Sequence, residues 1–226
     1  RTPIAIVRGE ADIALAVPDR PHDEYREALS VVRTESRRLS RIVHDLFLLA
    51  RADAGQQQLQ RLQFYLDDVI ADCTRAARSL ASRRCMTLTS SVPTEAAVCG
   101  DEDLMRQLIL NLLDNALKYG SEGGAVEIAL RSEPGVHRVI VRDTGPGIPA
   151  DVAEHIFDRF YRGDGSRARD AESSSRWHDD AHGVGAGLGL AIARWVAEAH
   201  GGSLVLARSS VAGSEFVLTL PMLATT

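Results

Sequence analysis

The chain has 226 residues, 45% of them hydrophobic and 25% charged, and a formal net charge of −5. That is enough for one or two globular domains of ordinary soluble composition, without the basic field of a nucleic-acid binder. No stretch approaches the ~18 consecutive apolar residues of a membrane span, and no signal-peptide pattern opens the chain.

The first residues, Arg1-Thr2-Pro3, begin without Met and read as part of a longer protein. A 4-3 spacing of Ile4, Val7, Ala11 and Ala14 predicts a helix over 1–17, with Pro3 in a first turn where its missing N–H costs nothing. Val17-Pro18-Asp19-Arg20-Pro21 breaks it, with His22 still in the loop. A second helix is expected from Asp23 to Asp53. Its stripe of Tyr25, Leu29, Val32, Ser36, Leu39, Val43, Leu46 and Ala50 has a heptad period with one polar member. Such a hairpin leaves apolar surface that a second copy would cover as a four-helix bundle.

A polar joint, marked by Gln56-Gln57-Gln58, is expected over 54–62. Mixed α and β patterns follow: a helix over Leu66–Ser82, then strands over Met86–Val92 and Ala96–Cys99. Asp101 is an N-cap candidate for a helix over Glu102–Tyr119. Strands Ala125–Ser132 and Val136–Asp143 flank Glu133-Pro134-Gly135. A short helix is expected over Ala150–Phe157, a long loop over 163–186, a helix over Leu188–His200, and a strand pair over Ser203–Arg208 and Glu215–Leu220. Cys73, Cys85 and Cys99 lack metal-ligand spacing and read as buried or half-buried thiols of a reducing compartment.

Four blocks carry chemistry. Asn111, Asn115, Lys118 and Tyr119 fall at i, i+4, i+7 and i+8, one face of a helix. Amide oxygens suit a hard cation such as Mg2+; a Lys ammonium one turn on can meet phosphate. Lys118 is the one lysine among 26 Lys and Arg residues. Asp143-Thr144-Gly145-Pro146-Gly147-Ile148 ends a strand in a turn whose glycines admit a close ligand, and the Asp143 carboxylate can accept from an exocyclic amine. Phe157-Asp158-Arg159-Phe160-Tyr161-Arg162 precedes the long loop. Gly183-Val184-Gly185-Ala186-Gly187-Leu188-Gly189-Leu190 runs from that loop into a helix, where backbone N–H groups would face an anion.

These blocks, in this order, resemble the N, G1, F and G2 boxes of the sensor histidine kinase family. Gly213-Ser214-Glu215-Phe216 resembles its later glycine motif, and Arg1-Thr2-Pro3 the tail of its H box. The resemblance implies an α+β architecture: a dimerisation and phosphotransfer hairpin over 1–53, a linker over 54–62, and an ATP-binding α/β sandwich of the Bergerat type over 63–226. It implies ATP and Mg2+, with Asn115 the metal ligand and Lys118 on phosphate. Tyr119, Asp143, Gly145, Gly147 and Ile148 would surround adenine. Gly185, Gly187 and Gly189 would flank the phosphates, Phe160 and Leu188 would belong to the same cofactor site, Arg162 would reach the γ-phosphate, and 163–186, with Trp177, would form a lid. Asn111 stands where related ATPases carry a water-activating Glu; an amide is no general base, which favours transfer over hydrolysis.

The acceptor His is expected three residues before Arg1, so the chain as given would bind ATP without its own acceptor. None of His22, His44, His137, His155, His178, His182 or His200 takes that place. The implied partners are a second copy through 1–53 and the receiver domain of a response regulator, with no nucleic acid. Contact with a bacterial inner membrane would come only through upstream segments, this part being cytoplasmic. Two other classes stay open: a nucleotide-binding regulatory module without kinase activity, and an ATPase of the gyrase, chaperone or mismatch-repair branch.

Overall fold

The computed structural model describes residues 2–16, 21–93, 95–162 and 186–223. They fall into two compact units, one of 1–53 with 162–186 and one of 54–161 with 187–226.

The first unit is built on two helices, α1 (Thr2–Ala16) and α2 (His22–Asp53), which pack on each other. α2 starts one residue earlier than its apolar spacing suggests. His22 is its first residue, ahead of Asp23 and Glu24, whose charges suit a helix N-terminus. Ala28, Leu48 and Leu49 are buried, yet no member of the heptad stripe is. Leu29, Val43 and Leu46 are 65%, 49% and 40% exposed.

The second unit opens with β1 (Leu62–Tyr65), α3 (Leu66–Arg83), β2 (Thr87–Ser91) and β3 (Ala97–Gly100). It continues through α4 (Glu102–Tyr119), β4 (Ala125–Glu133), β5 (Val136–Asp143) and the single turn α5 (Ala150–Ala153). It closes with α6 (Gly189–Ala199), β6 (Ser203–Ser210) and β7 (Gly213–Pro221). Five strands form one sheet in the order β2-β4-β5-β7-β6. β2 runs parallel to β4 and every other pair is antiparallel. β1 and β3 form a separate antiparallel pair. β1 falls inside the stretch read from sequence as joint and helix start: four residues with one buried side chain, Phe64, carry too little alternation to announce a strand. The helix expected over Ala150–Phe157 lasts one turn and gives way to turns.

Alternation decides which sheet face is buried. Val126, Ile128 and Leu130 of β4, Val139 and Val141 of β5, and Phe216, Leu218 and Leu220 of β7 are all at most 3% exposed. The helices α3, α4 and α6 cover that face. α4 is the centre of the layer: Met105, Leu108, Ile109, Leu112, Leu113 and Leu117 are fully buried, each worth about 1.5–3 kcal/mol of burial. Asp101 caps it, its carboxylate accepting from the Leu104 N–H at 3.2 Å. Asp72 of α3 accepts from Arg106 at 3.1 Å, tying α3 to α4. His200 ties α4 to the end of α6: its Nδ1 donates to the Val196 carbonyl at 2.7 Å and its Nε2 accepts from the Asp101 N–H at 2.9 Å.

The thiols divide. Cys73 is buried, and that burial pushes its pKa up to about 11. Cys85 and Cys99 are exposed, against the sequence expectation, because both stand at edges of the fold: a turn and a two-stranded ribbon.

Candidate active site

Asp143 ends β5 where the sheet opens into the 144–148 loop. Its Oδ1 accepts from the Gly145 N–H at 2.7 Å, and the Ser214 N–H also bonds the carboxylate. Burial raises its pKa above the ordinary 3.8, with those two N–H groups pulling the other way. The loop is held from both ends. Thr144 extends the strand pairing, its N–H reaching the Ala125 carbonyl at 3.1 Å and its Oγ1 accepting from the Ala125 N–H at 2.9 Å. Ile148 donates its N–H to Ser209 Oγ at 2.6 Å and accepts from the same hydroxyl at 3.1 Å.

Two glycines are needed by this geometry. Gly147 has φ +76°, and a Cβ there would run into the Ser210 carbonyl. Gly213 has φ +130°, and a Cβ there would run into the carbonyl of Asp143. Hence the β6–β7 turn can lie directly behind the loop.

α4 supplies the facing wall. The Tyr119 carbonyl passes over Gly145, 2.8 Å from where its Cβ would be, and the Tyr119 side chain is half-buried. Asn115 is half-buried, and its amide has no hydrogen-bond partner among the described residues. The Lys118 ammonium is held by Asp114 Oδ2 at 2.6 Å. It has three donors, so two remain. Asn111 donates from Nδ2 to the Gly189 carbonyl at 3.1 Å, fastening α4 to the first turn of α6.

The Gly187–Gly189 stretch starts α6. Gly187 has φ +74° and its carbonyl accepts from the Phe160 N–H at 2.9 Å, so the F-box segment and the start of α6 meet. The Phe160 ring is 57% exposed at φ +62°. Leu188 is buried in the core, which leaves only its backbone to face a ligand. Arg162 groups with the helical unit, outside the domain that carries the other candidates. Gly185, Trp177 and 163–185 as a whole lie outside the described residues. Sequence reasoning missed Ser209 and Asp114, and it marked Ser214 only as part of the later glycine motif; Ser209 sits far along the chain and a serine in a strand gives no signal, whereas the i,i+4 spacing of Asp114 and Lys118 was available.

The donor set fits Mg2+. No group of three or more His, Cys, Asp or Glu side chains among the described residues could hold a metal. A lone amide oxygen would supply one hard donor and leave the rest of the octahedral shell to water and to phosphate oxygens, which Mg2+ readily keeps.

Residues 100–224 match the family described as histidine kinase-, DNA gyrase B-, and HSP90-like ATPase, and residues 1–55 match the His Kinase A (phospho-acceptor) domain. The chain belongs to the sensor histidine kinase family. Among curated relatives, the signal transduction histidine-protein kinase BaeS of Escherichia coli is 33% identical over 98% of this chain and 44% of its own length. The chain thus spans less than half of that histidine kinase. Among solved structures, the Acinetobacter baumannii histidine kinase AdeS superposes with a TM-score of 0.75 at 21% identity, covering 98% of this chain and 96% of that one. Histidine kinase ThkA, solved in complex with the response regulator protein TrrA, gives 0.68 at 21% identity over 98% of this chain and 58% of that one. Both likenesses establish the α+β fold expected from the motif order.

Proposed function

We propose that this chain is the cytoplasmic catalytic region of a two-component sensor histidine kinase. In this reading residues 1–53 are the dimerisation and phosphotransfer hairpin, 54–62 a linker and 63–226 the ATP-binding domain of a longer protein anchored upstream in a bacterial cell membrane. The observation that carries it is the convergence of three sequence-distant blocks in one domain. The Asp143–Ile148 loop lies under the Tyr119 carbonyl, and Asn111 bonds Gly189 at the start of α6.

The adenine amino group donates to Asp143, and Gly145, Gly147 and Ile148 line the ring's approach beside Tyr119. The two remaining ammonium donors of Lys118 and the first-turn N–H groups of α6, from Gly187 to Gly189, take the phosphate oxygens. Asn115 holds Mg2+, which neutralises phosphate charge when bound. Asn111 braces α4 against α6 and takes no proton, so water is not activated. Phe160 belongs to the same cofactor site, and Arg162 is the candidate contact for the γ-phosphate. An imidazole nitrogen of the hairpin histidine then attacks the γ-phosphorus in line. The N–P bond forms as the bond to the β,γ-bridging oxygen breaks, and ADP leaves. An Asp of a response regulator receiver domain takes the phosphoryl group next, the kind of partner with which ThkA was solved.

The test is transfer in trans. The chain is mixed with [γ-32P]ATP, Mg2+ and a separately made hairpin carrying a histidine three residues before Arg-Thr-Pro. Acid-labile, base-stable label on that hairpin, absent with Asn115→Ala, is the expected result. Nucleotide binding without label would leave a regulatory module instead, and steady hydrolysis lost on Asn111→Ala would make the protein an ATPase.

A further inference from the structure

Helix α4 ends without the usual closure. A helix leaves its last four carbonyls without intrahelical partners, and a left-handed glycine commonly folds the chain back onto them. Gly120 instead leaves extended, at φ −60° and ψ 156°, its N–H bonded to the Ala116 carbonyl. That exit carries the chain over Gly145, whose Cβ would lie 3.2 Å from Gly120 Cα.

The open carbonyls are met from another element. The guanidinium of Arg84, in the turn between α3 and β2, donates through one nitrogen to the carbonyls of both Leu117 and Lys118, the latter at 2.6 Å. A cation suits the negative end of the helix dipole. The turn is itself fastened to the α4 exit: the Arg84 carbonyl accepts from the Gly123 N–H at 3.3 Å, and the buried Met86 side chain closes on Gly120. Its tight path puts Cys85 at φ +52°, a conformation that side chains rarely adopt.

We propose that Arg84 is a positioning residue of the nucleotide site. It does not touch the ligand; it replaces the missing C-cap and holds the last turn of α4, with Lys118 and Tyr119, in register with the Asp143–Ile148 loop. This rests on the nucleotide-binding reading above.

The test uses Arg84→Met and Arg84→Lys in this chain, with ADP and Mg2+ titrated by calorimetry and backbone amide exchange followed by NMR. Arg84→Met is expected to weaken ADP binding about tenfold, the loss of roughly one charged hydrogen bond's worth of order. It is also expected to speed exchange at Tyr119 and Gly120 while leaving β5 amides protected. Because a single guanidinium nitrogen serves both carbonyls, the Arg84→Lys ammonium restores most of the affinity and the local protection. Should Arg84→Met not fold, Arg84→Gln carries the same expectation at about threefold. Unchanged ADP affinity in folded Arg84→Met or Arg84→Gln overturns the proposal, as does exchange that rises equally throughout the domain. Failure of the unaltered chain to bind ADP overturns the nucleotide reading instead.

Discussion

Asp143 has a raised pKa because it is half-buried, and that has two opposite consequences. An adenine amino group needs the ionised carboxylate. As pH falls through a pKa above 3.8 the acceptor is lost, so nucleotide affinity should decline at a pH above the ordinary Asp range. Stability runs the other way. The folded state holds this proton more tightly than the unfolded one, so the group's contribution falls as pH rises through the same window. Asp143→Asn is therefore expected to lose about 10–100-fold in nucleotide affinity, the worth of a charge-assisted hydrogen bond. Its Tm at neutral pH should be unchanged or higher, as read by calorimetric titration and thermal melts. A loss of both together would mean that the carboxylate is needed for folding rather than for ligand. Lys118 shows the limit of single-residue reading. The sequence marks it as the one lysine, but its structural partner is Asp114, so in the proposed site phosphate would share the ammonium with a carboxylate. Leu188 is similar: the glycine motif includes it, while its side chain belongs to the core.

At the scale of elements, long amphipathic segments were legible and short ones were not. α4 follows its predicted span because a capping Asp, a broad apolar face and an exit glycine all point to one helix. β1, four residues long, does not hold enough pattern to declare itself, and α5 stops after one turn of the helix its pattern suggests. The β6–β7 hairpin was legible as a strand pair, but its use was not. Ser209 meets Ile148 across 61 residues of sequence, and nothing local in a strand serine announces that bond. Its hydroxyl satisfies both backbone groups of Ile148, so Ser209→Ala leaves a half-buried donor and acceptor unpaired. The expected outcome is a nucleotide dissociation constant about 2–10-fold higher, from the ~0.5–1.5 kcal/mol of a neutral hydrogen bond. The strand pairing should be kept, which circular dichroism checks. Equal affinity would show that the loop holds its shape without the latch.

For the whole molecule, the heptad stripe of α2 leaves Leu29, Val43 and Leu46 exposed among the described residues. Its period is that of helices that pair with other helices. Light scattering should find two copies per particle, and Val43→Glu with Leu46→Glu should give single copies while nucleotide binding, which belongs to the other domain, persists. A double variant that stays dimeric would move the interface elsewhere. By itself the sequence determined the family and the order of the longer elements, and it nominated candidate site residues, because local periodicity, capping residues and glycine turns are written in consecutive residues. Only the tertiary structure decided how the site is held: Arg84 on the carbonyls of α4, Ser209 behind Ile148, Asp114 on Lys118 and Asn111 on Gly189. All but the Asp114 pair join residues between 33 and 78 positions apart. Hydrogen bonds at such separations depend on how layers stack, which no local pattern encodes.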